Sequence, residues 1–229
     1  MQAAPVEPGV LGARLRQQQL IEDPQHGERK PLELEATSLL WPHTAQWALI
    51  ELVQVTDSAA RRLEEYRFVP ARAMPELPAF QGPGLPVALW FERTPNGASR
   101  ARIYSAPALR ASHPRSLPID PHAAPGRDGA DVLTRLARAL RERDVAASTA
   151  LFERDASLQH ADGALHRGSA QIRAALERLL QAGAVDPGYC TRLDDAVRSA
   201  LELQLGERPA LLVCERGAGG LLRAVRLYG

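Results

Sequence analysis

The sequence has very little cysteine and almost no imbalance of charge. Its 28 basic and 27 acidic residues leave a formal net charge of +1, so no basic surface is expected that could neutralise nucleic-acid phosphates. The two cysteines, Cys190 and Cys214, are too few for a disulfide framework or a cysteine metal cluster. We therefore expect no nucleic-acid partner and no bound metal. Both thiols are expected to be buried as small hydrophobic side chains.

Long hydrophobic runs are also missing. No segment approaches the ~20 consecutive apolar residues that a membrane helix needs, and the first residues lack the basic and apolar regions of an export signal. The chain is 45% hydrophobic and 24% charged, which is typical of a globular protein. These features favour a soluble protein with no membrane partner and a cytoplasmic location.

A proline-rich stretch divides the chain of 229 residues, a length that suits two domains of about 100 residues each. The composition of this stretch predicts an extended, semi-rigid connector. We therefore predict an N-terminal domain over residues 1–106, a linker over 107–127 and a C-terminal domain over 128–229. The prolines that mark the linker are Pro107, Pro114, Pro118, Pro121 and Pro125.

The two halves end in similar sequences, which indicates an internal repeat. Both Pro86–Arg93 and Pro209–Arg216 carry an apolar run that ends in Glu-Arg. Gly97 follows the first run and Gly217–Gly220 follows the second. Because glycine tolerates φ > 0, each ending is expected to be a β-hairpin. Two unrelated hairpins are the alternative, since short strand motifs recur by β-propensity alone.

The second half is predicted to contain three helices followed by strands. Asp144 is expected to begin the second helix, and a short strand from Ala156 to His160 follows it. Ser169 is expected to be the N-cap of the third helix. Alternation over Leu201–Leu205 predicts a strand with one buried face. The first helix is predicted from apolar residues at helical spacing: Val132, Leu133, Leu136, Ala137 and Leu140.

The first half is predicted to be a sheet with fewer helices. After one short helix near Val10–Ile21, the pattern is strand-like throughout. Such a sheet would leave an apolar face exposed, and the sheet of the other half is the expected cover. An internal pseudo-dimer is therefore expected, with a homo-oligomer as the alternative. The predicted strands are Leu32–Trp41, Trp47–Asp57, Arg62–Val69, Val87–Arg93 and Ser99–Tyr104.

Short motifs run through the second half in an order that is typical of one superfamily. They are Arg143-Asp-Val-Ala146, Leu151-Phe152, Asp155 to His160, Gly163, Arg167-Gly168 and Gln171-Ile172. This series resembles the nuclear transport factor 2-like superfamily, particularly its SnoaL-like and ketosteroid-isomerase-like branches. With the terminal hairpin, the resemblance covers roughly the whole of Asp128–Gly229, and in the first half only the strands from about Trp47 to Tyr104. It implies tandem cone-like α+β domains, each a curved antiparallel sheet, with three helices closing the C-terminal one around an apolar pocket.

The resemblance also implies where catalytic groups would lie. The position of the general base falls on His160, whose imidazole titrates near neutral pH. The two positions that would stabilise an enolate fall on Leu136 and Leu212, neither of which can donate a hydrogen bond. Ketosteroid isomerisation by the usual mechanism is therefore not expected. The residues expected to contact a ligand are Leu136, Phe152, Tyr189, Leu212 and Tyr228.

Three functions follow from these residues. The first is a non-catalytic or weakly catalytic protein that binds a small apolar molecule. The second is a SnoaL-like isomerase, cyclase or hydratase that acts on a polyketide-like or steroid-like substrate, with His160 as the general base. The third is a structural scaffold in which the first half only covers the sheet of the second. Motifs of other enzyme classes are missing, and no cofactor is expected.

Overall fold

The computed structural model of the chain divides into two compact units. Unit 1 comprises Met1–Arg115 with Tyr228–Gly229, and unit 2 comprises Ser116–Leu227. The structure describes residues 4–23, 27–37, 40–42, 47–72, 84–93, 96–105, 123, 131–160, 163–181, 188–205 and 208–229. Except for Ala123, the predicted linker lies outside the described residues. The predicted domain boundaries and the pairing of the two halves stay predictions.

Unit 1 is built on a seven-stranded sheet. Its strands are β1 (Ala4–Pro5), β2 (Leu20–Asp23), β3 (Gly27–Arg29), β4 (Trp47–Asp57), β5 (Arg61–Pro70), β6 (Leu85–Arg93) and β7 (Ser99–Ser105). The order in the sheet is β1-β4-β5-β6-β7-β2-β3. Strands β4 to β7 are antiparallel neighbours, whereas β2 runs parallel to β7. The four long strands begin and end within two residues of their predictions, because their apolar and aromatic residues favour strands strongly.

The predicted strand Leu32–Trp41 is wrong, because a helix, α2, spans Pro31–Thr37 instead. Proline is well tolerated at the first position of a helix. The backbone amide of Lys30 donates to the Glu33 carboxylate at 3.2 Å, as in a capping box. The alternation of leucine and glutamate in this segment was misleading, since both residues are also good helix formers.

The helices of unit 1 cover one face of its sheet. Helix α1 spans Pro8–Arg16, so it is shorter than predicted, and β2 begins within the segment expected to be helical. Leu11 and Leu15 of α1 and Leu34 of α2 are buried in one cluster with Tyr66 and Phe68 of β5. Helix packing therefore stabilises this face of the sheet.

The described residues of unit 2 form three α-helices and a six-stranded sheet. The helices are α3 (Val132–Arg141), α4 (Val145–Ala150) and α5 (Gly168–Gln181), and the strands are β8 (Phe152–Gln159), β9 (Leu165–Arg167), β10 (Gly188–Asp194), β11 (Arg198–Leu205), β12 (Arg208–Arg216) and β13 (Leu222–Tyr228). The sheet order is β10-β11-β12-β13-β8-β9. Strands β8 and β13 are parallel, so each sheet is mixed rather than purely antiparallel. The predicted α+β class is confirmed, with two separate sheets and three helices in the described part of unit 2.

The ends of two elements in unit 2 differ from their predictions. Helix α5 begins at Gly168, which has φ of +72°, so Ser169 is not its N-cap. The side chain of Gln171 instead accepts a hydrogen bond of 2.9 Å from the backbone amide of Arg167. Strand β8 begins at Phe152, four residues before the predicted start of the strand at Ala156. Phenylalanine favours strands more strongly than helices, which explains why β8 already begins at Phe152.

Glycine allows the tight turns that were predicted at the two hairpins. Gly97 has φ of +83° between β6 and β7, which pair antiparallel with Arg93 opposite Ser99. Gly219 and Gly220 have φ of +69° and +72° between β12 and β13, which are neighbours in their sheet. Only glycine adopts these angles without strain. The first hairpin is confirmed, and the internal repeat stays a prediction.

Helices long and apolar enough to cross a membrane are absent from the described residues.

Candidate functional site

The connection between α3 and α4 positions one side of the candidate site. Arg143 adopts a left-handed conformation with φ of +58°, which ends α3 and turns the chain. The side chain of Arg143 donates a hydrogen bond to the carbonyl oxygen of Leu180 at the end of α5. Asp144 is the N-cap of α4 and accepts a hydrogen bond of 2.8 Å from the backbone amide of Ala147. Asp144 thus begins the second helix, as predicted from its preference for N-caps.

Apolar side chains from the helices and the sheet form a buried cluster among the described residues of unit 2. We call it the unit 2 cluster, and its buried members are Val132, Leu133, Leu136, Leu151, Phe152, Ala156, Leu158, Ile172, Ala175, Leu176, Leu201, Leu203, Cys214, Leu222 and Val225. Four partly buried side chains pack against it, namely Leu140, Val145, Tyr189 and Leu212. All these side chains are uncharged, so the cluster offers an apolar environment.

The strand register explains how the sheet contributes to the unit 2 cluster. Tyr189 of β10 is opposite Leu203 of β11, and Leu201 of β11 is opposite Leu212 of β12. Residues directly opposite each other in antiparallel strands share a face of the sheet. Tyr189 and Leu212 therefore lie on the same face as two buried members of the cluster. Both are only partly buried, so this part of the cluster is accessible from outside.

Four of the five residues predicted to contact a ligand come together in the unit 2 cluster. Leu136 and Phe152 are 5% and 6% exposed, and Tyr189 and Leu212 pack against the buried members. Tyr228 does not belong to this set. It is grouped with unit 1, where its hydroxyl donates a hydrogen bond of 2.6 Å to Glu65.

His160 follows the last residue of β8 at a tight turn. Its backbone amide donates to Ala164 at 2.8 Å, and its carbonyl oxygen accepts from Gly163 at 2.9 Å. The imidazole is partly buried. His160 lies beyond the last residue of β8, Gln159, so the alternation of the strand does not fix the direction of its side chain. His166 is opposite Leu158 on β9, so His166 lies on the same face as this member of the unit 2 cluster.

Sequence reasoning missed a polar group on the same face of β10 to β12. Arg192 donates to Asp194 at 2.5 Å and to Asp131, the N-cap of α3, at 3.4 Å. Ser199 also donates to Asp194, and Arg216 pairs with Asp194 at 3.4 Å. Burial alone would raise the pKa of Asp194, but the hydrogen bonds from Arg192 and Ser199 lower it below its ordinary value.

These contacts join the start of α3 to the strands and pair each arginine with a carboxylate. The only sequence signal for this group was the spacing of two residues between Arg192 and Asp194. Residues two apart in a strand lie on one face of the sheet.

The cysteines are structural, and the described residues offer no metal centre. Cys190 and Cys214 are free and buried, as predicted. Burial raises the pKa of the Cys214 thiol to about 12, so it is protonated and unreactive at neutral pH. Within the described residues, histidine, cysteine, aspartate and glutamate do not form a group that could hold a metal ion.

A second charged group lies in unit 1 around the buried carboxylate of Glu64. Glu64 accepts hydrogen bonds from Arg14 at 2.8 Å, Arg62 at 2.6 Å and the Tyr66 hydroxyl at 2.5 Å. Burial alone would raise the pKa of Glu64, but hydrogen bonds from Arg14, Tyr66 and Arg62 hold it below its ordinary value. Burial and the Glu64 charge raise the pKa of Tyr66. The tyrosine is therefore a neutral donor to an ionised carboxylate.

Solved structures provide the comparisons for this fold. No protein-family model and no curated protein matches the sequence. A candidate polyketide cyclase from Sinorhizobium meliloti is 15% identical, with a TM-score of 0.38 over 42% of this chain and 92% of that one. A SnoaL-like protein of unknown function from Burkholderia thailandensis is 16% identical, with a TM-score of 0.37 over 42% of this chain and 88% of that one. This chain is similar to SnoaL-like proteins.

Another similar structure is that of SalBIII, an epoxide hydrolase/cyclase-like enzyme that has a role in pyran ring formation in the polyether salinomycin. It is 19% identical, with a TM-score of 0.37 over 43% of this chain and 88% of that one. At these identities the likeness concerns the fold alone, so it identifies neither a ligand nor a reaction for this chain.

Proposed function

We propose that unit 2 binds a small hydrophobic molecule at the unit 2 cluster, with weak catalysis or none. The observation that supports this proposal is the convergence of Leu136, Phe152, Tyr189 and Leu212 on one apolar cluster. Apolar surroundings with a few polar groups are typical of small-molecule sites. The partly buried side chains of Tyr189 and Leu212 give a ligand a place to enter.

The side chains at two positions favour binding over catalysis. By the resemblance, Leu136 and Leu212 fall on the positions that would stabilise an enolate in a ketosteroid isomerase, and both pack in the unit 2 cluster. Loss of one oxyanion donor typically costs about 10²–10³ in rate. Leucine at both positions also makes the surroundings drier and better suited to an apolar ligand.

Titration of tetralin, a bicyclic hydrocarbon, into the full chain tests this proposal. NMR detects the leucine methyl groups during the titration. We expect saturable shifts at Leu136 and Leu212. Leu212→Asn should weaken binding about 5-fold or more, because a polar amide would be placed against the ligand. Leu165→Asn is the matched control, since Leu165 is 50% exposed on β9, and should leave binding unchanged. Equal effects of the two variants, or no saturable binding of tetralin or its ketone 1-tetralone, would overturn the proposal.

An enzyme that uses His160 as general base is the second candidate. The position of His160, two residues after Leu158 of the unit 2 cluster, favours it. Titration of the imidazoles by NMR, with and without 1-tetralone, tests this role. A base in the site should change its pKa when the ligand binds. If the pKa of His160 is the same with and without bound ligand, the catalytic role is excluded and the binding role stands.

A further inference from the structure

The hydroxyl group of Ser148 is buried on the face of α4 that packs against the unit 2 cluster. Ser148 is 0% exposed. It lies three residues after Val145 and three before Leu151, both of which contact the cluster. Residues three apart on a helix share a face. Ser148 therefore lies on the face of α4 that carries these two apolar residues.

The Ser148 hydroxyl has no hydrogen-bond partner among the residues that the structure describes. Its neighbour Thr149 donates to the carbonyl oxygen of Val145 at 2.7 Å, which is the usual solution for a hydroxyl group in a helix. The corresponding acceptor for Ser148 would be the carbonyl oxygen of Asp144. That oxygen accepts a hydrogen bond of 2.9 Å from the Ser148 backbone amide but none from the Ser148 hydroxyl. Because buried hydroxyl groups almost always have a partner, this exception requires an explanation.

We propose that Ser148 is the polar anchor of the ligand site, where its hydroxyl donates a hydrogen bond to a carbonyl oxygen of an otherwise apolar ligand. This proposal rests on the proposed function and adds a ligand class to it, namely small apolar ketones. A neutral oxygen fits better than an ionised group, because the side chains of the unit 2 cluster are uncharged. A charged ligand group would be buried there without a counter-ion.

Two probes with the same carbon frame test the anchor. Tetralin and 1-tetralone differ in one carbonyl group, so the ratio of their dissociation constants reports on contacts to that oxygen. In Ser148→Ala we expect the affinity for 1-tetralone to fall about 2- to 10-fold, the net effect of one hydrogen bond. The affinity for tetralin should stay the same. Ser148→Cys should be intermediate, because a thiol is a weak donor.

Thr149→Val is the matched control. It removes the adjacent hydroxyl group, which is already bonded to Val145, and should leave both affinities unchanged. The anchor is wrong if Ser148→Ala leaves the ratio of the two affinities unchanged while tetralin still binds, and in that case the proposed function stands. If neither probe binds the unmodified protein, the proposed function fails and the anchor fails with it. Backbone NMR spectra of each variant verify that the fold is intact.

Discussion

Arg14 and Glu64 lie fifty positions apart in the sequence, and the guanidinium of Arg14 donates a 2.8 Å hydrogen bond to the carboxylate of Glu64. Arg14 belongs to α1 and Glu64 to β5. The side chain of Glu64 is 0% exposed, whereas that of Arg14 is 39% exposed. The pair therefore connects a helix near the surface to the covered face of the unit 1 sheet.

Glu64→Gln should lower the free energy of unfolding by about 1–3 kcal/mol, the usual cost of an unmatched buried polar group. The amide oxygen of glutamine can still accept from Arg14 and Arg62, and its nitrogen can donate to the Tyr66 oxygen. The negative charge that balances the two guanidinium groups is lost, however, and charge-assisted hydrogen bonds become weaker neutral ones. Urea unfolding measures the change.

Glu35→Gln is the control for that measurement. Glu35 pairs with Arg16 at 3.1 Å, and both side chains are about a third exposed. Ion pairs at the surface contribute about 0–1 kcal/mol, so the control should be nearly neutral. If Glu64→Gln lowers the free energy of unfolding by no more than Glu35→Gln does, the buried group does not stabilise unit 1.

The effect of Glu64→Gln should also depend on pH. The pKa of Glu64 is lower in the folded chain than its ordinary value, so its contribution to stability is fully present above the unfolded pKa of about 4.3. This contribution is lost as pH falls through the folded pKa. The difference in stability between the unmodified chain and Glu64→Gln should be largest near neutral pH and shrink below about pH 4. Urea titrations over this range measure it, and a difference that grew towards acid would contradict the shift.

Asp144→Ala should destabilise the chain by about 1 kcal/mol, because the alanine leaves the backbone amide of Ala147 without its cap. Asp144→Asn should be close to the unmodified chain, since asparagine caps helices about as well as aspartate. Unfolding by urea distinguishes the two. Equal losses for both variants would mean that the charge of Asp144, rather than its cap, stabilises α4.

Ketosteroid isomerase activity should be absent or at trace level. Leu136 and Leu212 cannot donate the hydrogen bonds that would stabilise the enolate, and both lie in apolar surroundings. The absorbance of the conjugated enone formed from a β,γ-unsaturated ketosteroid measures this activity. Robust turnover would contradict the prediction and would require donors other than these two positions.

Local patterns predicted much of the fold but not all of it. The four long strands of unit 1 and the start of α4 at Asp144 follow from alternation and from capping, which depend on neighbouring residues. The segment Pro31–Thr37 has the same alternation as a strand, but a proline at its start and a capping glutamate favour a helix. Where two local signals compete, the pattern of apolar residues alone does not decide.

The sequence alone determined the α+β class, the long strands of unit 1 and the apolar character of Leu136, Phe152 and Leu212, since each depends on residue type and on spacing along one element. Tertiary structure alone decided which side chains meet. The bond of Glu64 to Arg14 joins residues far apart in the chain, and the isolation of the Ser148 hydroxyl depends on the neighbours that bury it. Periodicity specifies which face a side chain occupies, whereas its partners depend on how helices and strands pack.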